Sequence, residues 1–240
     1  MRETITISEV IMADTKIIDI LTEFSLTRQE ASIYAALLNH GDMTGYEVAK
    51  DTGFSRSNVY AALNALVEKG AAYLVEGETT KFRPVEIKSF TENKIRALSE
   101  SAAWLEKHGP QKIVSTEGYI TITGAKNIRN KMREMLEKTE ARLYLAAPAE
   151  IIRSFEPELQ ALVDAKKKVV LLTSGYKLKD ATVYETDVAE GQLRFITDSS
   201  YVLTGELTDD EHNTCLYSGQ KNLVEVMKEA LKDKISLLGK

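Results

Sequence analysis

Thr44-Gly-Tyr-Glu-Val-Ala-Lys-Asp-Thr-Gly-Phe-Ser-Arg-Ser-Asn-Val-Tyr-Ala-Ala-Leu-Asn-Ala-Leu-Val-Glu-Lys69 reads as a short helix, a tight turn and a longer helix. That geometry lets a protein push one helix into the major groove of DNA. Thr44 is placed to cap the first helix, with Glu47 three positions on closing a capping box. Gly53 supplies the sharp turn without steric cost. Ser55 is the expected N-cap of the second helix, and Gly70 its stop signal.

At about 100° per residue, Val59, Leu63, Leu66 and Val67 fall on one side of the second helix, the side that packs on the domain. Ser57, Ala61, Asn64 and Glu68 lie opposite, with Asn58 and Tyr60 on the flanks. Small residues such as Ser57 and Ala61 let a backbone approach a groove closely. The amides of Asn58 and Asn64 match adenine, and the Arg56 guanidinium matches guanine. An ordinary amphipathic helix with a solvated outer face would show the same period. Agreement among caps, turn and small outward residues favours the groove-binding reading.

Working outward, Thr27-Arg-Gln-Glu30 is a second capping box, opening a helix through Ala31, Ile33, Tyr34, Leu37 and Leu38 that ends before Gly41. Downstream, Ala72-Tyr-Leu-Val75 and Lys81-Phe-Arg-Pro-Val85 flank the polar tip Glu76-Gly-Glu-Thr-Thr80, a β-hairpin pattern. Three helices and a hairpin make a winged helix-turn-helix, with Lys81 and Arg83 where a wing meets phosphates. The predicted DNA-contacting set is therefore Thr44, Ser55, Arg56, Ser57, Asn58, Tyr60, Ala61, Asn64, Lys81 and Arg83.

From Lys88 to His108 a continuous helix is expected, with Ile95, Leu98, Ala102 and Leu105 on an apolar stripe and Trp104 nearby. His108-Gly-Pro110 ends it. Because a symmetric DNA site calls for a two-fold protein, this stripe is read as a dimer seam. Beyond residue 115, strand and helix patterns alternate: Tyr119 to Thr123, a helix from Ala125 to Lys138, and Arg142 to Ala146. A helix from about Pro148 to Ala165 and the apolar run Lys168 to Thr173 follow. After a looser stretch come Gln192 to Thr197, Tyr201 to Leu207, Thr214 to Ser218 and a last helix from Gln220 to Leu238.

The expected fold is α/β overall. It comprises a mainly α winged-helix domain over 16–87, a linking helix over 88–110, and an α/β domain over 115–240 with a largely parallel sheet. Ligands of such sheets bind beyond the carboxyl ends of strands, which selects Ala147, Ser174, Gly175 and Asp198 as effector-site candidates. Near the N-terminus, Thr4-Ile-Thr-Ile7 alternates like a strand, and the folded domain is expected to begin near Lys16.

The runs Leu26 to Leu38, Ser55 to Gly70 and Phe82-Arg-Pro-Val85 resemble the TrmB-type transcriptional regulators, over residues 20 to 90 well and more loosely beyond. The resemblance implies dimers on operator DNA, a long connecting helix and a C-terminal regulatory domain similar to the phospholipase D fold. That fold's chemistry uses a His nucleophile with a Lys two residues on. None of His40, His108 and His212 is followed by Lys at that spacing. The resemblance therefore implies a catalytically dead version. Sugar-sensing members carry a further C-terminal region that has no counterpart before Lys240, so a maltose-type effector is not expected.

Composition sets outer limits. The 240 residues carry a net charge of −5, with 43% hydrophobic and 28% charged side chains, enough for two domains. Residues 24–90 hold seven Lys or Arg against eight Asp or Glu. A near-neutral DNA-binding domain points to modest affinity per copy, raised by dimerisation. A single cysteine, Cys215, allows no internal disulfide. Without a membrane-spanning run or a signal-peptide core, the chain is expected in the cytoplasm. No cofactor or metal is called for: the acidic loop Asp209 to Asn213 reads as solvated. Double-stranded DNA, a second copy and a small-molecule effector are the expected partners. Competing readings are a winged-helix protein-interaction module and a phosphodiester-processing enzyme.

Overall fold

The computed structural model describes residues 7–110, 118–210 and 212–238 of the chain. They form two compact units, Met1–Gln111 and Lys112–Lys240.

In the first unit, α1 (Ile7–Glu23), α2 (Arg28–His40), α3 (Gly45–Thr52) and α4 (Arg56–Glu68) precede the hairpin of β1 (Ala72–Val75) and β2 (Lys81–Pro84), and α5 (Ile87–His108) follows. Of the strand-like run at the start, residues 4–6 lie outside the described residues, and Ile7 already belongs to α1. The helix α1 thus begins upstream of Lys16. Ile33, Leu37, Val48, Val59, Leu63 and Leu66 are wholly buried together, with Phe82 of the wing and Phe90 of α5 closing the core. Each such side chain stabilises the unit by about 1.5–3 kcal/mol. The Tyr34 hydroxyl donates to the Val85 carbonyl at 2.6 Å, pinning the wing's exit to α2. Glu30 does double duty: it accepts the Thr27 N–H at 2.7 Å and the Lys69 ammonium at 2.6 Å. It thereby fastens the end of α4 to the start of α2.

The second unit is one seven-stranded sheet. Its strands are β3 (Tyr119–Thr123), β4 (Arg142–Ala146), β5 (Lys168–Thr173), β6 (Thr182–Glu185), β7 (Gln192–Thr197), β8 (Tyr201–Glu206) and β9 (Thr214–Ser218), in the order β3-β9-β8-β7-β4-β5-β6. The expectation of a largely parallel sheet is overturned. Only β4–β5 and β5–β6 run parallel, whereas β3–β9, β9–β8, β8–β7 and β7–β4 are antiparallel. Connection length accounts for β4–β5 and for β7–β8, while β5–β6 runs parallel across residues 174–181 alone. A parallel return needs a long crossover, and α7 (Ala149–Arg153) with α8 (Glu156–Asp164) provides one between β4 and β5. Asp198 and Ser199 instead turn β7 straight into β8, both with positive φ, and the Ser200 N–H closes on the Thr197 carbonyl at 2.9 Å. That is a primed hairpin turn, whose twist suits adjacent antiparallel strands. The looser stretch after Thr173 contains β6, and the predicted helix over 148–165 divides into α7 and α8.

α6 (Ala125–Lys138), α7 and α8 pack on one face of the sheet over Leu143, Leu145, Val169, Leu171, Leu193, Phe195 and Leu203. The opposite face is partly covered by α9 (Lys221–Leu238) through Val224 and Leu231, against Ala146, Val170, Leu172, Ile196 and Val202. Both faces being apolar explains the near-continuous hydrophobic run of β5. Cys215 is 1% exposed, and burial pushes its thiol up to about 11. Among the described residues no helix is long and apolar enough to cross a membrane.

Candidate nucleic-acid interface

Three caps build the helix-turn-helix. The Thr44 hydroxyl accepts the Glu47 N–H at 3.2 Å, while the Glu47 carboxylate accepts the Thr44 N–H at 2.8 Å. Those bonds hold the Glu47 carboxyl below its ordinary range. Gly53, at φ 73°, ends α3 in the left-handed conformation that a side chain would strain. Ser55 accepts the Asn58 N–H at 3.4 Å and starts α4.

The caps fix the roll of α4. Val59, Ala62, Leu63 and Leu66 face inward, while Ser55, Arg56, Ser57, Asn58, Tyr60, Ala61, Asn64 and Glu68 are all exposed. The outward face is polar or small apart from Tyr60, which is 47% exposed.

Contacts between α3 and α4 shape this surface further. The Arg56 guanidinium lies over the Tyr46 ring, 4.8 Å from its centroid. The Tyr60 ring lies across Gly45, where an added Cβ would stand 2.6 Å from ring carbons. Sequence reasoning missed Tyr46 and Gly45. The available signal was an aromatic residue and a glycine directly after a capping threonine, ahead of a helix that opens on Arg56 and carries Tyr60.

The wing departs from expectation in its charges. Arg83 grips Asp42 with both arms of its fork, Nε at 2.8 Å and Nη2 at 2.6 Å. This pair holds the Asp42 carboxyl below its ordinary range and raises Arg83. Met43 and Phe82 exchange backbone hydrogen bonds at 3.1 and 2.8 Å, joining the loop before α3 to the wing as a short extra strand. Arg83 is thus paired within the domain while its side chain stays 58% exposed. Lys81 lies close enough to Asp42 and Glu47 to help keep both ionised.

The four effector-site candidates do not converge. Ala147 is fully buried, and Ser174 and Gly175 are exposed beyond the carboxyl end of β5. Gly175 donates its N–H to Glu185 at 2.9 Å and accepts from Arg153 at 3.1 Å. Asp198 stands at the other end of the sheet, because β7 runs against β4. Burial raises the Asp198 carboxyl, but this is outweighed by three backbone N–H donors, Glu140, Ala141 and Arg142, at 2.8 to 2.9 Å, which hold it below its ordinary range. Its role there is to clasp the α6–β4 turn. At the carboxyl end of β4 the surface hollow is instead lined by Arg129, Glu150, Ser154 and Asp209. On α5, Ile95, Leu98 and Leu105 are 55%, 61% and 60% exposed, and Ala102 is exposed beside them.

Comparison with known proteins yields matches to both units. Residues 21–88 match the family model for the sugar-specific transcriptional regulator TrmB. Residues 118–230 match that for the EBD N-terminal subdomain of the same regulators. Among curated proteins, the uncharacterized protein YrhO of Bacillus subtilis (strain 168) is 30% identical over 176 residues, 72% of this chain and 64% of YrhO. The DNA-binding HTH-type transcriptional repressor TrmBL2 of Thermococcus kodakarensis is 24% identical over 220 residues, 83% of each chain. A solved structure of TrmBL2, described as an archaeal chromatin protein, aligns with 93% of this chain and 98% of its own at 21% identity and a TM-score of 0.46.

Proposed function

The chain belongs to the TrmB family of DNA-binding transcriptional regulators, and from that premise we propose that it works as a homodimer setting two copies of α4 into successive major grooves, about 34 Å apart. It is a regulator and not an enzyme. The observation that carries the reading is the bare outward face of α4, polar and small-sided from Ser55 to Asn64. Ser57, Asn58, Ala61 and Asn64 meet base edges, with Tyr60 beside them. Arg56, held ready on Tyr46, reaches guanine or phosphate. Thr44 and Ser55 present their helix N-termini to the backbone. Lys81 is the wing's contribution, Arg83 being tied to Asp42. Ile95, Leu98, Ala102 and Leu105 of α5 form the dimer seam, and the C-terminal unit receives a small-molecule effector. An effector of this kind acts only through unequal affinity for two states of the dimer.

Selection of bound sequences from a random duplex pool, followed by gel shift at fixed salt, tests the reading. A consensus with two-fold symmetry is expected, and Arg56→Ala weakens binding to it by about 1–3 kcal/mol. Failure to enrich any sequence, with no salt-dependent binding to random duplex, overturns the reading and favours a protein-binding winged helix.

A further inference from the structure

The sheet face under α9 carries a groove of about 610 Å³. That size falls in the range of small-molecule sites. It opens over the first residues of three neighbouring strands, Arg142, Lys168 and Thr182. Strand register explains its shape. Arg142 pairs with Lys168 and Tyr144 with Val170 across β4–β5, and Val170 with Thr182 across β5–β6. Alternation then sends all five side chains to the same face. The floor is apolar and aromatic, made by Tyr144, Val170, Tyr184 and Ile196, with Ile235 of α9 along one wall.

The rim is the unusual part. Arg142 and Lys168 are matched in register on adjacent strands, and like charges so placed repel. Both are exposed, and among the described residues neither makes an ion pair with a carboxylate. Lys168 Nζ lies over the Tyr144 ring, 5.7 Å from its centroid, so the cation is held at the mouth. Lys232 adds a third positive charge from α9. Two carboxylates also line the groove: Glu225, already paired with Lys228 at 2.9 Å, and Glu229. Three cations around a floor of rings and methyl groups leave an excess of positive charge where an apolar body fits.

We propose that this groove binds a small organic anion with an aromatic or other apolar body, its acid group held by Arg142, Lys168 and Lys232 and its body against Tyr144 and Tyr184. The site lies at the amino ends of β4 and β5, away from the loops after Ala146 and Thr173 that sequence reasoning favoured. The inference names the ligand class of the effector in the regulator reading and rests on that reading only for its regulatory consequence.

The test uses the full chain and 1-anilinonaphthalene-8-sulfonate, an aromatic body with a fixed negative charge, followed by fluorescence. Saturable binding is expected, with Lys168→Glu/Lys232→Glu weakening it about tenfold or more, the scale of a lost charge-assisted hydrogen bond. Lys232→Gln alone gives a smaller loss, and circular dichroism checks that each variant keeps its fold. The uncharged analogue N-phenyl-1-naphthylamine binds more weakly than the sulfonate. Equal dye affinity in the parent and the double variant, or equal affinity for the uncharged analogue, overturns the site. Gel shifts on the same variants without dye separate the two readings. Unaltered dye binding in the double variant alongside intact DNA binding removes only this inference, whereas a parent that binds dye but no DNA removes only the regulator.

Discussion

Glu30 shows how one side chain carries several duties. It is 7% exposed, yet it stays charged because the Lys69 ammonium and the Thr27 donors outweigh the penalty of burial, holding its carboxyl below the ordinary 4.5. A depressed folded value means that the stabilisation is complete above the ordinary value and is lost as pH falls through the lower folded one. Acid titration followed by circular dichroism should therefore show Glu30→Ala losing less stability than the parent across that window. At neutral pH, urea unfolding of Glu30→Ala should show a deficit of about 1–3 kcal/mol, since a cap and a partly buried ammonium both lose their partner. Local signals made this residue legible as a cap, because Thr27 and Glu30 are three apart. Lys69, 39 positions away, was not legible as its partner. The same limit explains Arg83. Its spacing on the wing gave no sign of Asp42, which the Met43–Phe82 pairing brings near and which pairs with it.

Among elements, α3 and α4 fit closely because Gly45 leaves room for the Tyr60 ring. A methyl group at that position collides with the ring at 2.6 Å, and the ring is free to swing since it is exposed. Gly45→Ala is therefore expected to keep its thermal stability, alanine being the better helix former by about 1 kcal/mol. Its duplex affinity should drop by about 1–3 kcal/mol, the size of a base contact. Combined with Tyr60→Ala, the two losses should not add, because both displace one ring. Full additivity in gel shifts would show that Gly45 acts by another route. Caps and helix faces could be read because their causes lie within one turn of chain. Strand direction could not be read from burial: β4, β5 and β7 are apolar on both faces whichever way they run. The three residues separating Thr197 from Tyr201 were the available clue, too few for a crossover, and overlooking them placed Asp198 at the wrong end of the sheet.

For the molecule as a whole, the question is what lies against α5. Leu98 and Leu105 are 61% and 60% exposed, so charging them costs the isolated fold little. Leu98→Glu/Leu105→Glu is expected to sediment as a monomer that keeps its fold by circular dichroism. Its operator affinity should fall about a hundredfold or more through lost bivalency. A dimer that persists in sedimentation would place the seam elsewhere.

Cys215 gives the second unit a clock. It lies on β9, the strand next to the β3 edge, in the apolar cluster beneath the helices, with 1% of the residue exposed and a thiol that burial keeps protonated at neutral pH. Alkylating reagents attack the thiolate, so iodoacetamide reacts only with copies in which the packing over the sulfur has opened. The labelling rate in native buffer, divided by that of the urea-unfolded chain, therefore measures how often the sheet breathes. A ligand that tightens the sheet should slow the reaction without touching the sulfur.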